Sequence, residues 1–546
     1  VADQIYLAEI TAYDPGITGT RVLRYCSGVG YVTKPSETPA NTLFEPRIVQ
    51  PCNFTRTAFS DARIMGGTTE GYGEMVLNNA DQALCPLMNY GLDGRSCIVR
   101  VGPQDGAYPS AFTTFINGTI EQAEVGATKV TLRLRDNLML LSIPLQQTLY
   151  LGNNNPGSPP STPMTGAEGT VDDIIGQPKP LTYGQCYHVP AVCVNTGLLI
   201  YQVHDGAVQG IDAVFDVGVP LIFAGDVANL AALQSAVFLA GRYMTCNALG
   251  LFRLNAIPVR TTAHVRGDNA GGYVSTVAGI VKRILTQRAG IAAAACDASF
   301  AALDISFPAQ CGVCVGPGQT GSTSAAPQST LLRPVLASTV GIGNTVQAAI
   351  DAVLLSGGCW LAPTRINTWS IAQLVAPVGA PVASFTDVDL IAVDSEATSD
   401  PTAGVPVFSV FLRYKRYAGA LASKEVAGSL SAAVAADISS EFRTANQFDN
   451  SVLTLHLLAA RLYRDTCMTV VADVNAECAR VLALHKVRRD FVKATVRLDQ
   501  TKAAIDLGSV VQLMTNRLGY SAGKSFIVVG IASDGRKNEL TLDLWG

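Results

Sequence analysis

Apolar and polar residues alternate with period two towards both ends of the chain, and with period near 3.6 only in between. Residues 129–135 place Val130, Leu132 and Leu134 on one face and Thr131, Arg133 and Arg135 on the other. That alternation predicts a half-buried antiparallel strand. Residues 5–13 form a β-rich run that stops at Asp14-Pro15-Gly16, a turn signal. Residues 71–77 read as a strand entered through Gly71 and Gly73. The last 55 or so residues repeat the pattern, with strands at 493–498, 509–513 and 525–531 and a turn at Asp534-Gly535. They end in the strict alternation of 539–545, with Leu540, Leu542 and Leu544 on one face. Hairpins in series of this kind predict a small barrel.

Helical spacing stands out in three places. Over 276–288, Val277, Ile280, Val281, Ile284 and Leu285 form one stripe, with Ser275 or Thr276 as cap and Gly290 as stop. Over 345–355 the stripe is Val346, Ala349, Ile350, Val353 and Leu354, with Asn344 as cap and Gly357-Gly358 as stop. A third helix is predicted over 473–486, carrying Val474, Cys478, Val481 and Leu482. All three stripes read as core. A weaker helical pattern covers 229–239. Segments 152–168, 316–327 and 376–406 are rich in Gly, Pro, Ser, Thr or Asn and read as loops. No fixed-period repeat is present.

The fold class expected is mainly β with α+β insertions. The chain divides into an N-terminal β-barrel unit at 1–145 and a β-rich connector at 146–260. An α+β unit with two amphipathic helices follows at 261–400, and a second β-barrel unit at 401–546.

Composition narrows the classes. Hydrophobic residues make up 48% of the 546, which excludes a disordered chain. Charged residues are only 15%, against about 25% in an ordinary globular protein. A surface so poor in charge suits burial against other subunits. The net charge of −4 argues against a global field for nucleic acid. Mean hydropathy is +0.26, yet Gly, Pro or a charge interrupts every apolar run before 18 residues, so no membrane span is expected. The start, Val1-Ala2-Asp3-Gln4, shows no signal-peptide pattern.

Candidate chemistry is sparse. Thirteen cysteines, an odd number in mostly apolar settings, read as buried thiols of a reducing compartment. Cys311 and Cys314 form a lone CxxC without the further ligands that a zinc site or cluster needs. His204-Asp205 cannot form a catalytic dyad as sequence neighbours, because adjacent side chains on an extended chain point apart. Asp205-Gly206 reads as a turn. Asp172-Asp173 reads as a solvated turn or a helix's first turn. Arg266-Gly267-Asp268 matches the integrin tripeptide, a match short enough to arise by chance. Basic residues cluster at Arg413, Lys415 and Arg416 and at Lys486, Arg488 and Arg489, the latter at a helix C-terminus, where the dipole favours cations. Catalytic, cofactor-binding and metal-binding residues are therefore assigned to none.

Several stretches carry a resemblance when taken in order. The chain opens with Tyr6-Leu7-Ala8-Glu9-Ile10, then Leu23-Arg24-Tyr25-Cys26-Ser27-Gly28. Gly73-Glu74-Met75-Val76-Leu77-Asn78-Asn79-Ala80-Asp81 and Asn89-Tyr90-Gly91-Leu92-Asp93-Gly94-Arg95 follow. Gly176-Gln177-Pro178-Lys179-Pro180-Leu181-Thr182-Tyr183-Gly184 and Tyr201-Gln202-Val203-His204-Asp205-Gly206 occupy the middle. Leu507-Gly508-Ser509-Val510-Val511, Gly530-Ile531 and Leu542-Asp543-Leu544-Trp545-Gly546 close the series. This series resembles the tail-tip or baseplate hub proteins of long-tailed bacteriophages and gene transfer agents. The resemblance implies a homotrimer that continues and closes the tail tube, with two tail-tube-like β-barrels per subunit in a pseudo-sixfold ring and smaller inserted domains. It implies neighbours among other tail proteins: a distal tail protein or tail tube above, and tip, central-fibre or tape-measure proteins. DNA would pass only transiently through the lumen. The place implied is the virion tail tip, assembled in the host bacterial cytoplasm. Some relatives hold an iron–sulfur cluster through four clustered cysteines, a pattern this sequence lacks, and no cofactor is expected.

Two other readings compete with a structural, non-enzymatic hub. An envelope-degrading glycosidase needs two carboxylates roughly 5–10 Å apart in a groove, and no acidic cluster suggests them. A peripheral receptor-binding adhesin is usually repetitive and fibrous, and this chain has no repeats.

Overall fold

Period-two sequence at the two ends builds two antiparallel-rich sheets. The computed structural model describes residues 4–59, 67–135, 137–155, 164–316, 335–338, 344–395, 406–499 and 502–546. Strand residues outnumber helical ones, 43% to 18%, so the chain is mainly β. The expected loops at 152–168, 316–327 and 376–406 fall partly outside the described residues.

The first sheet has nine strands between Gln4 and Arg135. Its central strand, Ser96–Pro103, is flanked by the hairpin Gln4–Asp14 and Gly19–Cys26, where Gly16 donates its N–H to Asp14 Oδ1 at 2.9 Å in the predicted turn. Strand Lys129–Arg135 buries Val130, Leu132 and Leu134 as the alternation required.

The second sheet has at its centre Glu539–Trp545, paired on one side with Lys524–Asp534 and on the other with Phe491–Arg497. Further strands are Val510–Met514, Ala383–Thr386 and Leu390–Ser395. The last two lie in the segment expected to be a loose loop. Partner strands, which local composition does not reveal, convert it into sheet. Strand pairing in each sheet follows the order given, and no closed barrel is detected among the described residues.

A single glycine joins the two sheets. The expected strand over 71–77 is two strands, Thr69–Tyr72 and Glu74–Asn78, split at Gly73. The first pairs with Phe54–Thr57, which itself adds to Lys524–Asp534 of the second sheet. The other pairs with Lys129–Arg135 of the first sheet. Gly73 donates to the Asn53 carbonyl at 2.6 Å, and a Cβ there would lie 3.1 Å from Asn53 Cβ, so a side chain at the crossover would have to push Asn53 aside by a few tenths of an ångström. One hydrophobic core runs through both sheets, from Tyr6, Ile10 and Phe115 to Val496, Leu540 and Leu544.

Between the ends lie two further bodies. Residues 181–315 supply a five-stranded sheet in the order Val219–Pro220, Val208–Asp216, Thr261–Asp268, Leu181–Pro190, Gly312–Val315. A second five-stranded sheet, from Val192 to Leu254, packs beside it. The helix expected over 229–239 is confined to Leu230–Ser235 and capped by Asn229. The other body holds helices Val277–Gln287, Val346–Leu355 and Val471–His485 in one core. Thr276 Oγ1 caps the first, accepting from the Gly279 N–H at 3.2 Å. Thr345, one residue later than expected, caps the second through the Ala348 N–H at 3.2 Å. Strands Val407–Tyr414, Arg443–Phe448 and Ala460–Asp465 join this body in a mixed sheet with Val335–Ser338. Residues 407–465 were expected in the C-terminal barrel unit. Two of these pairings are parallel and need long crossovers, which a hairpin-by-hairpin reading does not supply.

Candidate functional site

The junction of the two end sheets is the most built feature of the chain. Arg56, 2% exposed, donates from Nη1 to Asp506 Oδ1 at 2.7 Å across the strand addition, with Glu70 3.5 Å from its Nε. Arg365 sits at the tip of the hairpin Cys359–Pro363 and Trp369–Gln373. Its guanidinium donates to the Ala503 and Ile505 carbonyls and lies 4.6 Å from the Phe54 ring centroid. Its own carbonyl accepts from the Asn117 N–H at 2.8 Å. One buried arginine thus ties the helical body to both end sheets, with its charge offset by carbonyl dipoles and an aromatic face.

A groove of about 880 Å³ opens along the same junction. Gln4, Gly28 and Val29 line it from the first sheet, and Ile391, Arg497 and Lys537 from the second. Its charges are largely balanced internally. Lys502 Nζ meets Asp499 at 2.8 Å and Asp389 at 3.8 Å, and Lys537 meets Asp534 at 3.6 Å. Such a surface suits docking of a protein segment better than recognition of a strongly charged small molecule.

The residues singled out in the sequence fall into place individually. His204 is buried and does meet a carboxylate, that of Asp268 and not its neighbour Asp205. Its Nδ1 accepts from the Thr182 N–H at 3.0 Å, and its Nε2 lies 3.5 Å from Asp268 Oδ1. Arg283 bonds the other oxygen of Asp268. Burial opposes ionisation of Asp268, but the bonds from His204 and the Arg283 charge outweigh it and hold the carboxyl below its usual range. A catalytic histidine needs one ring nitrogen free for a nucleophile's proton. Both nitrogens here are committed, so the trio locks helix Val277–Gln287 to the sheet. Sixty-odd residues separate His204 from Asp268, and no local spacing signals the pair.

The same contacts bury Asp268, so Arg266-Gly267-Asp268 is not presented as a recognition loop; Arg266 pairs with Asp212 at 2.9 Å. Asp173 Oδ1 accepts the Thr170 N–H at 2.6 Å, a turn contact. The basic clusters are largely paired within the chain, with Lys486 and Arg488 still exposed. Arg413 pairs with Asp465, Arg416 with Glu441 at 2.9 Å and Lys486 with Asp449 at 3.3 Å. Arg489 lies 5.0 Å from the Trp545 ring centroid.

The CxxC thiols acquire neighbours from distant sequence. Cys314 comes together with Cys186 and Cys467 around a cavity of about 20 Å³, room for one water and not for a cluster. Cys186 Sγ donates to the Tyr183 carbonyl and Cys467 Sγ to the Ala352 carbonyl, each at 3.5 Å, as protonated thiols do. Among the described residues no three His, Cys, Asp or Glu side chains are arranged to hold a metal ion. These residues therefore do not fit the iron–sulfur cluster of some hub proteins. All thirteen cysteines are free. Burial pushes the Cys467 and Cys359 thiols up to about 12. We expect a thiol reagent near neutral pH to label exposed Cys85 rapidly, half-buried Cys193 more slowly and the eleven buried thiols only on unfolding. Fast labelling of Cys186, Cys311, Cys314 and Cys467 in the folded chain would contradict the packing described.

No family model matches the sequence, and no curated protein matches it. Among solved structures, the chain is similar to the tail protein from Neisseria meningitidis MC58, with TM-score 0.36 and 11% identity over 92% of this chain and 93% of that one. It is similar to a chain in the virion of a native gene transfer agent particle, with TM-score 0.40 and 13% identity over 68% of this chain and 85% of that one. It is also similar to the prophage MuSo2 43 kDa tail protein from Shewanella oneidensis, with TM-score 0.36 and 9% identity over 99% and 98%. At these scores the likeness is one of general outline, and no step below is built on it. No helix among the described residues is long and apolar enough to cross a membrane.

Proposed function

We propose that the chain is a structural hub protein of the tail tip or baseplate of a long-tailed bacteriophage or gene transfer agent. In this reading three copies form a ring that continues and closes the tail tube and anchors the tip proteins. Each copy contributes two sheet-based units, one from about 4–135 and one from 383–395 together with 491–545, so that six alternate around the lumen. The tube or distal tail protein lies above, tip, fibre or tape-measure proteins lie below, and DNA passes transiently. Assembly takes place in the host cytoplasm.

The observation that carries the proposal is the joining of the two end sheets. They share one core, are linked through the strand Phe54–Thr57 and are braced by Arg365. A subunit built that way can present two sheets side by side as one piece, with the helical body braced against it. The ordered motifs quoted above supply the family, and the 15% charge content suits large subunit contacts.

The test has three arms. Mass photometry of the purified chain is expected to show a trimer, alone or when mixed with its tail partners. Negative-stain images of particles labelled with an antibody against the chain are expected to place the label on the tail axis at the tip. Label at the periphery would favour an adhesin. Release of soluble fragments from peptidoglycan by the purified chain would favour an envelope-degrading enzyme.

A further inference from the structure

Two histidines meet where the sheet of residues 181–315 abuts the body that contains 407–485. His188 lies near the end of strand Leu181–Pro190 of that sheet, and His264 lies in the next. Their ring centroids are 4.6 Å apart. Phe215 packs 4.6 Å from each, Tyr187 5.0 Å from His264, and Tyr417 of the opposing body 4.5 Å from His188. His188 Nδ1 bonds Thr262 Oγ1 at 3.0 Å, while His264 Nε2 is buried without a partner. The opposing chain is held to this sheet by backbone bonds at the same place. Ala418 donates to the Tyr187 carbonyl at 3.2 Å and Gly419 to that of His188 at 2.7 Å.

The charged and titratable groups around the pair are unbalanced. The turn after Val407–Tyr414 brings Lys415, whose Nζ lies 4.8 Å from the Tyr187 ring, and Tyr417. Helix Ala432–Ser439 brings Asp437, and strand Arg443–Phe448 brings Arg443, 3.6 Å over the Tyr417 ring. Strand Val208–Asp216 faces the pair with apolar Phe215. Asp437 is already engaged, accepting from Tyr417 at 2.9 Å and from Arg443 at 3.1 Å. Two protonated imidazoles here would confront each other and two fixed cations, with one committed carboxylate as counterweight.

We propose that His188 and His264 form an acid-sensitive latch, which holds residues 415–443 on the sheet of residues 181–315 while both rings are neutral and lets them go when the rings are protonated. The direction follows from linkage. Burial, followed by the Arg443 charge, pulls His188 down to about 4, and burial, followed by His188 itself, pulls His264 down to about 3. Groups depressed in the closed form bind protons better when the junction opens. The latch is therefore complete above pH 6.5 and weakens as pH falls from 6.5 towards those values. The opening constant rises roughly tenfold per pH unit for one histidine and up to roughly a hundredfold for both. This property belongs to the single chain and does not depend on the hub reading.

Amide hydrogen exchange of the full chain at about pH 7 and pH 5, corrected for intrinsic rates, tests it. Ala418 and Gly419 are expected to lose at least tenfold in protection, while amides of strands Lys524–Asp534 and Glu539–Trp545 lose far less. Equal protection of Ala418 and Gly419 at both pH values, or a uniform loss across the chain, overturns the proposal. His264→Phe keeps an aromatic ring and should roughly halve the pH slope; an unchanged slope also overturns it. Should that variant not fold, ring titration by NMR in the native chain decides. Both histidines are expected to titrate below 6.5, and either one titrating at or above 6.5 sinks the latch.

Discussion

Deleting residues 539–546 is expected to abolish the second sheet and with it soluble, folded protein. The strand Glu539–Trp545 is central in its sheet, paired along all seven residues with Phe491–Arg497 on one side and Lys524–Asp534 on the other. Leu540, Leu542 and Leu544 are fully buried in the core shared by both end sheets, and Trp545 is 1% exposed on the opposite face. The leucines alone are worth roughly 1.5–3 kcal/mol each. Their sum approaches the about 5–15 kcal/mol that holds a whole domain folded. Removal also strips hydrogen-bond partners from two neighbouring strands and creates two raw edges. Near-ultraviolet circular dichroism and solubility of the truncated chain are the readouts. If the hub reading holds, particle counts by electron microscopy should show heads without tails. A truncated chain with native dichroism, or normal tailed particles at wild-type yield, would contradict this account.

Glu477→Ala is expected to destabilise the chain by about 3–5 kcal/mol, the cost of leaving a buried cation without its partner. Glu477, on helix Val471–His485, is 2% exposed, and it receives two guanidinium groups. Arg464, 4% exposed, bonds Oε1 and reaches the Ser356 carbonyl at 3.3 Å. Arg480 bonds Oε2 at 2.7 Å, and it also donates to the carbonyls of Leu374 at 2.7 Å and Gly357 at 3.0 Å. One carboxylate therefore fastens the helix to the mixed sheet and to the turn that follows helix Val346–Leu355. Its loss leaves two cations facing each other in low dielectric. Glu477→Leu combined with Arg464→Met should recover part of the loss, because an apolar replacement of a buried pair is nearly neutral. Chemical denaturation of the three proteins measures this. A Glu477→Ala change below about 1 kcal/mol would mean that the network is solvated in solution.

Much of the local structure was legible in the sequence for a simple reason. A residue's side of a strand or helix is fixed by its spacing from its neighbours. Val130, Leu132, Leu134, Leu540, Leu542 and Leu544 all lie inside as their alternation demanded. Val277, Ile280, Val281, Ile284 and Leu285 do so at helical spacing. The turns at Asp14 and Asp534 follow equally from side chains that bond the nearby backbone. Pairing between distant segments has no such local signal. Gly73 looked like the entry to one strand and is the crossing between two sheets. Strands Ala383–Thr386 and Leu390–Ser395 looked like loop, because their partners lie about a hundred or more residues away.

The sequence by itself determined the β character of both ends, the three amphipathic helices, the apolar setting of the cysteines and the ordered motifs behind the family resemblance. Periodicity and composition are properties of neighbours along the chain, and they need no fold to be read. Only the tertiary structure decided that the two end sheets share one core, that 407–465 joins the helical body, and that Arg365 and Glu477 are buried keystones. It alone brought His204 to Asp268, Cys186 to Cys314 and His188 to His264. Each of these depends on which surfaces meet. A buried charge or a ring pair is stable only when carbonyls, counter-charges and apolar walls arrive from separate elements at once, and no window of sequence holds them all.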